Sequence, residues 1–164
     1  MTATITGHHA ETQRKLVLHH VKSLVDLPTI LNSDGGYFVA MLVCDARNLS
    51  ANVISTAARK LIDDGCAYFC CWGNDCERVH DIFDEEWVGN GFVDAPDDTI
   101  MTTWHANETI EQFIEFSLLH TQPTTKFQND CNAVIAIVID DAERATTIQN
   151  AFANPDDFCN ANDC

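Results

Sequence analysis

Four strand-like runs, each followed by an amphipathic stretch, constrain this chain more than any other feature of its sequence. Phe38-Val-Ala-Met-Leu-Val-Cys44 is continuously apolar, as a strand buried on both faces must be. After the polar turn Asp45–Ser50, in which Ser50 or Asn48 can cap a helix, Val53, Ile54, Ala57, Ala58, Leu61 and Ile62 recur at helical spacing, and Gly65 stands where a helix ends. Cys66–Trp72 opens a second unit, whose helix carries Cys76, Val79, Ile82, Phe83 and Trp87 on its apolar face. Its start, Asn74-x-x-Glu77, has capping-box spacing, and Gly89-Asn-Gly91 and Asp94–Asp98 follow as stop and loop. Thr99–Trp104 and Ala133–Ile139 begin the third and fourth units, with Asn107 and Asp140-x-x-Glu143 as helix starts.

Strand–helix units in series predict a parallel sheet with helices on both faces. The expected fold is one three-layer α/β domain with about four parallel strands, flavodoxin-like or Rossmann-like in layout. Residues 1–36 read as an extension packing on this core. Val17, Val21, Leu24 and Val25 suit a helix on the sheet edge, while Leu16 and Leu18 suit a strand, and the helix is preferred. Residues 37–153 form the domain, and 154–164 an acidic, irregular tail.

A chain of 164 residues is one domain by size, with room for a sizeable core. Its 25 acidic against 9 basic residues give a formal charge of -16, which repels phosphate backbones and argues against nucleic acid as a partner. No apolar run reaches the length of a membrane helix, and the N-terminus lacks a secretory layout. The eight cysteines sit largely inside apolar runs, so reduced thiols in a cytoplasm are expected.

Parallel strands place all their C-terminal ends on one rim, where open α/β sheets hold ligands. Here that rim would carry Asp45 and Arg47, then Trp72, Asn74 and Asp75, then Trp104 and His105, then Asp140 and Asp141, with His80 one turn into the second helix. The first β–α turn has no glycine, so neither a dinucleotide fingerprint nor a phosphate loop is present, and Gly-x-Ser-x-Gly is absent. Cys71, Cys76, His80 and His105 could in principle ligate a metal, but the tight spacing of zinc sites is missing, and no metal or cofactor is expected. Cys76 with His80 has suitable spacing for a nucleophile and base, which burial of the thiol would oppose. Glu77, Asp81, Asp84, Glu85 and Glu86 form an acidic helix face.

The block Cys-Trp-Gly-x-Asp-Cys-x3-His-Asp-x2-Asp-Glu at residues 71–85, followed by Thr102-Thr-Trp-His105 and Glu108, resembles a family of uncharacterised small bacterial proteins, a domain of unknown function. The resemblance covers roughly Tyr37 to Leu119 and implies a bacterial, intracellular setting without an activity to transfer. Two functional expectations follow. One is an acidic binding or regulatory module, an immunity or accessory component, whose partner is a basic protein, with a second copy of the chain as the other partner. The other is a small hydrolase-like enzyme using Asp45, Asp75, His80 and His105 at the rim.

Overall fold

The computed structural model describes residues 4–89 and 98–162. Six strands form one sheet: β1 (Thr4–His9), β2 (Arg14–Val21), β3 (Tyr37–Val43), β4 (Cys66–Trp72), β5 (Met101–His105) and β6 (Cys131–Ile139). Their order is β1-β2-β6-β3-β4-β5, parallel throughout except for the antiparallel β1–β2 hairpin. The helices are α1 (Ala51–Asp63), α2 (Cys76–Gly89), α3 (Ile110–Leu119), the single turn α4 (Thr125–Gln128), α5 (Ala142–Ala153) and α6 (Pro155–Asn162).

The sheet is covered on both sides. Phe38, Ala40 and Leu42 of β3 face one layer with Ile54, Leu61, Val79 and Phe83 of α1 and α2, while Val39, Met41 and Val43 face the other with Phe113, Ile114, Ile148 and Phe152 of α3 and α5. Phe38–Val43 and Ala133–Val138 are almost wholly shielded from solvent, which is why these strands read as unbroken apolar runs. Ser50 caps α1 by accepting a hydrogen bond from Val53 N, and Gly65, with φ 105°, follows its last turn.

The α/β class holds, with five parallel strands rather than about four. The N-terminal edge helix gives way to β2. Leu16 and Leu18 enter the α3–α5 layer while Val17 and Val21 enter the other, a period of two that ends in a 3-10 turn at Leu24–Asp26. β2 lies between β1 and β6, buried on both faces, and the paired His19 and His20 disguise its pattern. The tail is helix rather than irregular chain: Pro155 occupies the first position of α6, where its missing N–H costs nothing, and Cys159 is buried. Two helix starts also shift. Thr109, with Gln112, makes the capping box of α3, and Asp141, one residue after Asp140, caps α5 through Arg144 N. The expected end of α2 at Asn90–Gly91 and the loop at 94–97 lie outside the described residues.

Candidate functional site

β3 and β6 are hydrogen-bonded neighbours, yet the chain leaves them in opposite directions, to α1 in one layer and to α5 in the other. Such a reversal leaves a crevice beyond the strand ends. It is present here as a cleft of about 340 Å³ lined by Cys44, Asp45, Trp72, Gly73, Asn74, Ala106, Glu108, Asp140, Asp141 and Arg144, with Val43 and Ile139 at its base.

Its walls are held by backbone geometry. The β3–β4 pairing continues past the strands through Cys44 N to Trp72 O and Ala46 N to Asn74 O. Gly73 sits in that extension with φ 122°, and a Cβ there would fall 2.1 Å from the Cys44 carbonyl oxygen. Asp75 and Asp140 also have positive φ, 62° and 50°, and Asp140 N donates to Val21 O at 2.8 Å. The three turns that end β3, β4 and β6 are thus shaped by the sheet beneath them.

Four carboxylates line the cleft. Asp45 receives both Arg47 nitrogens, Nε at 2.9 Å and Nη2 at 2.5 Å, and the Asn74 amide at 3.2 Å. The Arg47 hydrogen bonds hold its carboxyl well below the usual carboxylate range. Glu108 accepts the Trp72 indole N–H on its carbonyl and meets His105 Nδ1 through its side chain at 2.7 Å. Asp141 is committed to its helix cap. The exposed Asp140 carboxylate has no hydrogen-bond or ion-pair partner among the described residues. Facing them, the Arg144 guanidinium lies 5.6 Å from the centre of the Trp72 ring and bonds Glu143 through Nη1. Its buried Nε–H has no acceptor.

The structure therefore divides the residues singled out from sequence. Asp45, Trp72 and Asn74 line the cleft, with Arg47 clamped on Asp45. Asp75 turns aside to Arg78, whose Nη2 donates to Ala46 O and Leu49 O. Asn74 lies two residues before the start of α2, and its amide donates to Asp45. Trp72 pairs in register with His105, and Cys71 with Trp104, so the two indoles leave the sheet on opposite faces and form no common aromatic wall. Trp104 packs on the His80 ring at 4.5 Å between centroids. His80 is buried there, with Nε2 3.0 Å from Thr102 Oγ1 and Nδ1 3.1 Å from Asp81. On the other face His105 is buried against Phe113 and Phe116, with Nε2 3.0 Å from Thr103 Oγ1.

Arg144 escaped the sequence reading. A cation in the first turn of a helix opposes the helix dipole, and that misplaced charge was its one available signal. The seven described cysteines are all buried. Among the described residues no three His, Cys, Asp or Glu side chains are grouped to hold a metal ion, and no helix is long and apolar enough to cross a membrane. No curated protein matches the chain. The model of one protein family, described as a domain of unknown function (DUF7684), matches residues 16–155, from β2 to the first residue of α6, and the chain belongs to that family.

Proposed function

We propose that this protein is a non-enzymatic binding module, a regulatory or accessory component of a bacterial cytoplasm, that receives a basic side chain of a protein partner in the cleft between β3 and β6. The observation that carries this reading is the cleft lining: four carboxylates from three different turns, one of them, Asp140, uncompensated. The formal charge of -16 supports it, because such a field steers a cationic partner toward the surface. Neither of the two histidines expected as bases lines the cleft; both are buried, His80 beside Thr102 and His105 beside Glu108.

The test uses Asp140→Asn, which removes the charge while keeping a residue type that tolerates positive φ. The immobilised chain should retain from its host a partner with a basic surface, whose association rate falls steeply with salt. The variant, at unchanged melting temperature, should hold that partner at least tenfold more weakly, as loss of a charge contact of about 1.5 kcal/mol or more does. Equal retention by the variant refutes the reading.

A second reading is supported by one string of contacts. Thr103 Oγ1, His105 and Glu108 stand in the hydroxyl–imidazole–carboxylate order used by nucleophilic hydrolases, at 3.0 and 2.7 Å. Hydrolysis of activated esters that is abolished by Thr103→Val would favour it over binding alone.

A further inference from the structure

β5 is the last strand of the sheet. One side of it pairs with β4, from Met101 against Tyr68 to His105 against Trp72, and among the described residues no strand pairs with the other side. Alternate residues on that free side direct their N–H and C=O groups outward, a template for a further strand. Folded proteins commonly blunt such an edge with a charge, a proline or a bulge. β1, at the opposite end of the sheet, loses register between Ile5 and Gly7 and has α6 beside it, with His9 facing Asp156 at 3.7 Å. β5 has none of these devices. Met101-Thr-Thr-Trp-His105 holds no Lys, Arg, Asp, Glu, Pro or Gly, keeps unbroken register against β4, and is rich in residues that favour strands. Its two large apolar side chains are exposed. Met101 lies on the α3–α5 side, in register with Tyr68, and Trp104 on the α1–α2 side, in register with Cys71.

The surroundings of this edge define what fits it. On the Trp104 face α2 brings up two carboxylates, Asp81, which lies 3.1 Å from His80 Nδ1, and Asp84, which accepts from Thr102 Oγ1 at 2.8 Å. Neither meets a Lys or Arg among the described residues, and Arg78, the single Lys or Arg of α2, is bound to Asp75 and to the Ala46 and Leu49 carbonyls. An exposed indole beside two carboxylates suits an ammonium or guanidinium group, through cation–π attraction and charge. Side chains of an added strand alternate between the faces, so its basic residues belong on the Trp104 face and the residues between them beside Met101. A second copy of this chain is the wrong occupant, because antiparallel pairing of two β5 edges sets both acidic strips on one face. We propose that β5 is a docking edge for an extended segment of another protein, alternating basic and apolar residues, that joins the sheet as a further strand. Neither Met101 nor Trp104 lines the cleft, so this surface is separate from the one that holds Asp140.

The probe is an acetylated and amidated peptide, Lys-Val-Lys-Val-Lys-Val-Lys, titrated into the full chain at low salt and followed by calorimetry and tryptophan emission. Binding in the micromolar range is expected, with a shift in emission as Trp104 is covered and weakening as salt rises. Two further peptides carry backbone N-methyl groups, one on every lysine and the other on every valine. An added strand donates to β5 from only one of these sets. One methylated peptide should therefore bind at least tenfold more weakly than the parent, and the other should keep its affinity. Trp104→Lys, which places a cation on the edge, should weaken the parent peptide at least tenfold at unchanged melting temperature. Asp140→Asn should leave it unchanged, which separates this edge from the cleft. If Trp104→Lys does not fold, Asp81→Asn with Asp84→Asn takes its place, with the same expected loss. Absence of binding, equal affinity of the two methylated peptides, or loss of binding in Asp140→Asn each overturns the proposal. So does a chain that sediments alone as a dimer and is returned to monomer by Trp104→Lys, since the edge then belongs to a second copy.

Discussion

Gly73 is the residue on which the cleft most depends. It combines a φ of 122° with a carbonyl oxygen 2.1 Å from where a Cβ would stand, and that oxygen belongs to the strand extension that forms the cleft floor. Relief requires β3 and β4 to part. Gly73→Ala should therefore destabilise the fold by about 3 kcal/mol, the sum of backbone strain and overpacking. Gly35, with φ 71° but open space around its Cβ position, isolates the conformational part, and Gly35→Ala should cost about 1 kcal/mol. Denaturant midpoints of the two variants check this; equal losses would mean that the close approach to Cys44 does not matter.

At the scale of elements, two buried histidines tie the N-terminal strands to their neighbours. His9 at the end of β1 contacts Thr12 Oγ1 at 2.8 Å and faces Asp156 of α6 at 3.7 Å, and His19 of β2 lies 3.4 Å from Leu31 O. Desolvation holds both below the ordinary histidine value, more strongly than Asp156 or the Leu31 carbonyl can raise them. The unfolded chain therefore binds protons that the folded one refuses. Stability is fully present above about pH 6.5 and is lost as pH falls toward the folded values. Carboxyls held low by their partners, such as Glu86 beside Arg59, begin to cost stability only below about pH 4.5. Urea midpoints should accordingly fall between about pH 6.5 and 5, and a His9→Gln, His19→Gln variant should flatten that slope.

The same strand shows where the sequence was legible. The units from β3 onward were readable because each strand is enclosed on both faces and each helix on one, so period and burial agree. In β2 the buried His19 and exposed His20 interrupt an otherwise apolar strand, and chance spacing of Val17, Val21, Leu24 and Val25 imitates a helix. Only the pairing with β6 settles it. For the cleft, the strand ends were legible from topology, which gave Asp45, Trp72 and Asn74. The parity of β5 was not, because its register against β4 decides which face Trp104 and His105 take. Arg144 reaches the cleft by lying across Trp72, a contact no spacing rule supplies.

For the whole molecule the surplus of negative charge sets the terms. Of nine Lys and Arg, seven stand in ion pairs with Asp or Glu among the described residues. Most of these pairs are at the surface and contribute little each. The remaining carboxylates repel one another with too few cations to offset them, and that repulsion acts against the compact state. Sodium chloride should therefore raise the thermal midpoint as it increases from about 0.02 to 0.3 M, where the screening length falls below the spacing of surface charges. A midpoint that drops over this range would show that the surface pairs outweigh the repulsion.

β6 joins the two parts of the sheet: Lys15 pairs with Ala133 on one side and Tyr37 with Cys131 on the other. During synthesis β2 and β3 leave the ribosome long before the strand that separates them. Until β6 arrives, each presents an unpaired edge of buried type, open to pairing with the wrong neighbour. The nascent chain then cannot complete its sheet stepwise from the N-terminus; closure waits for residues 131–139, and the cleft between β3 and β6 comes into being in that same late step. A translational pause or truncation before that strand would leave a chain with most of its helices and no cleft.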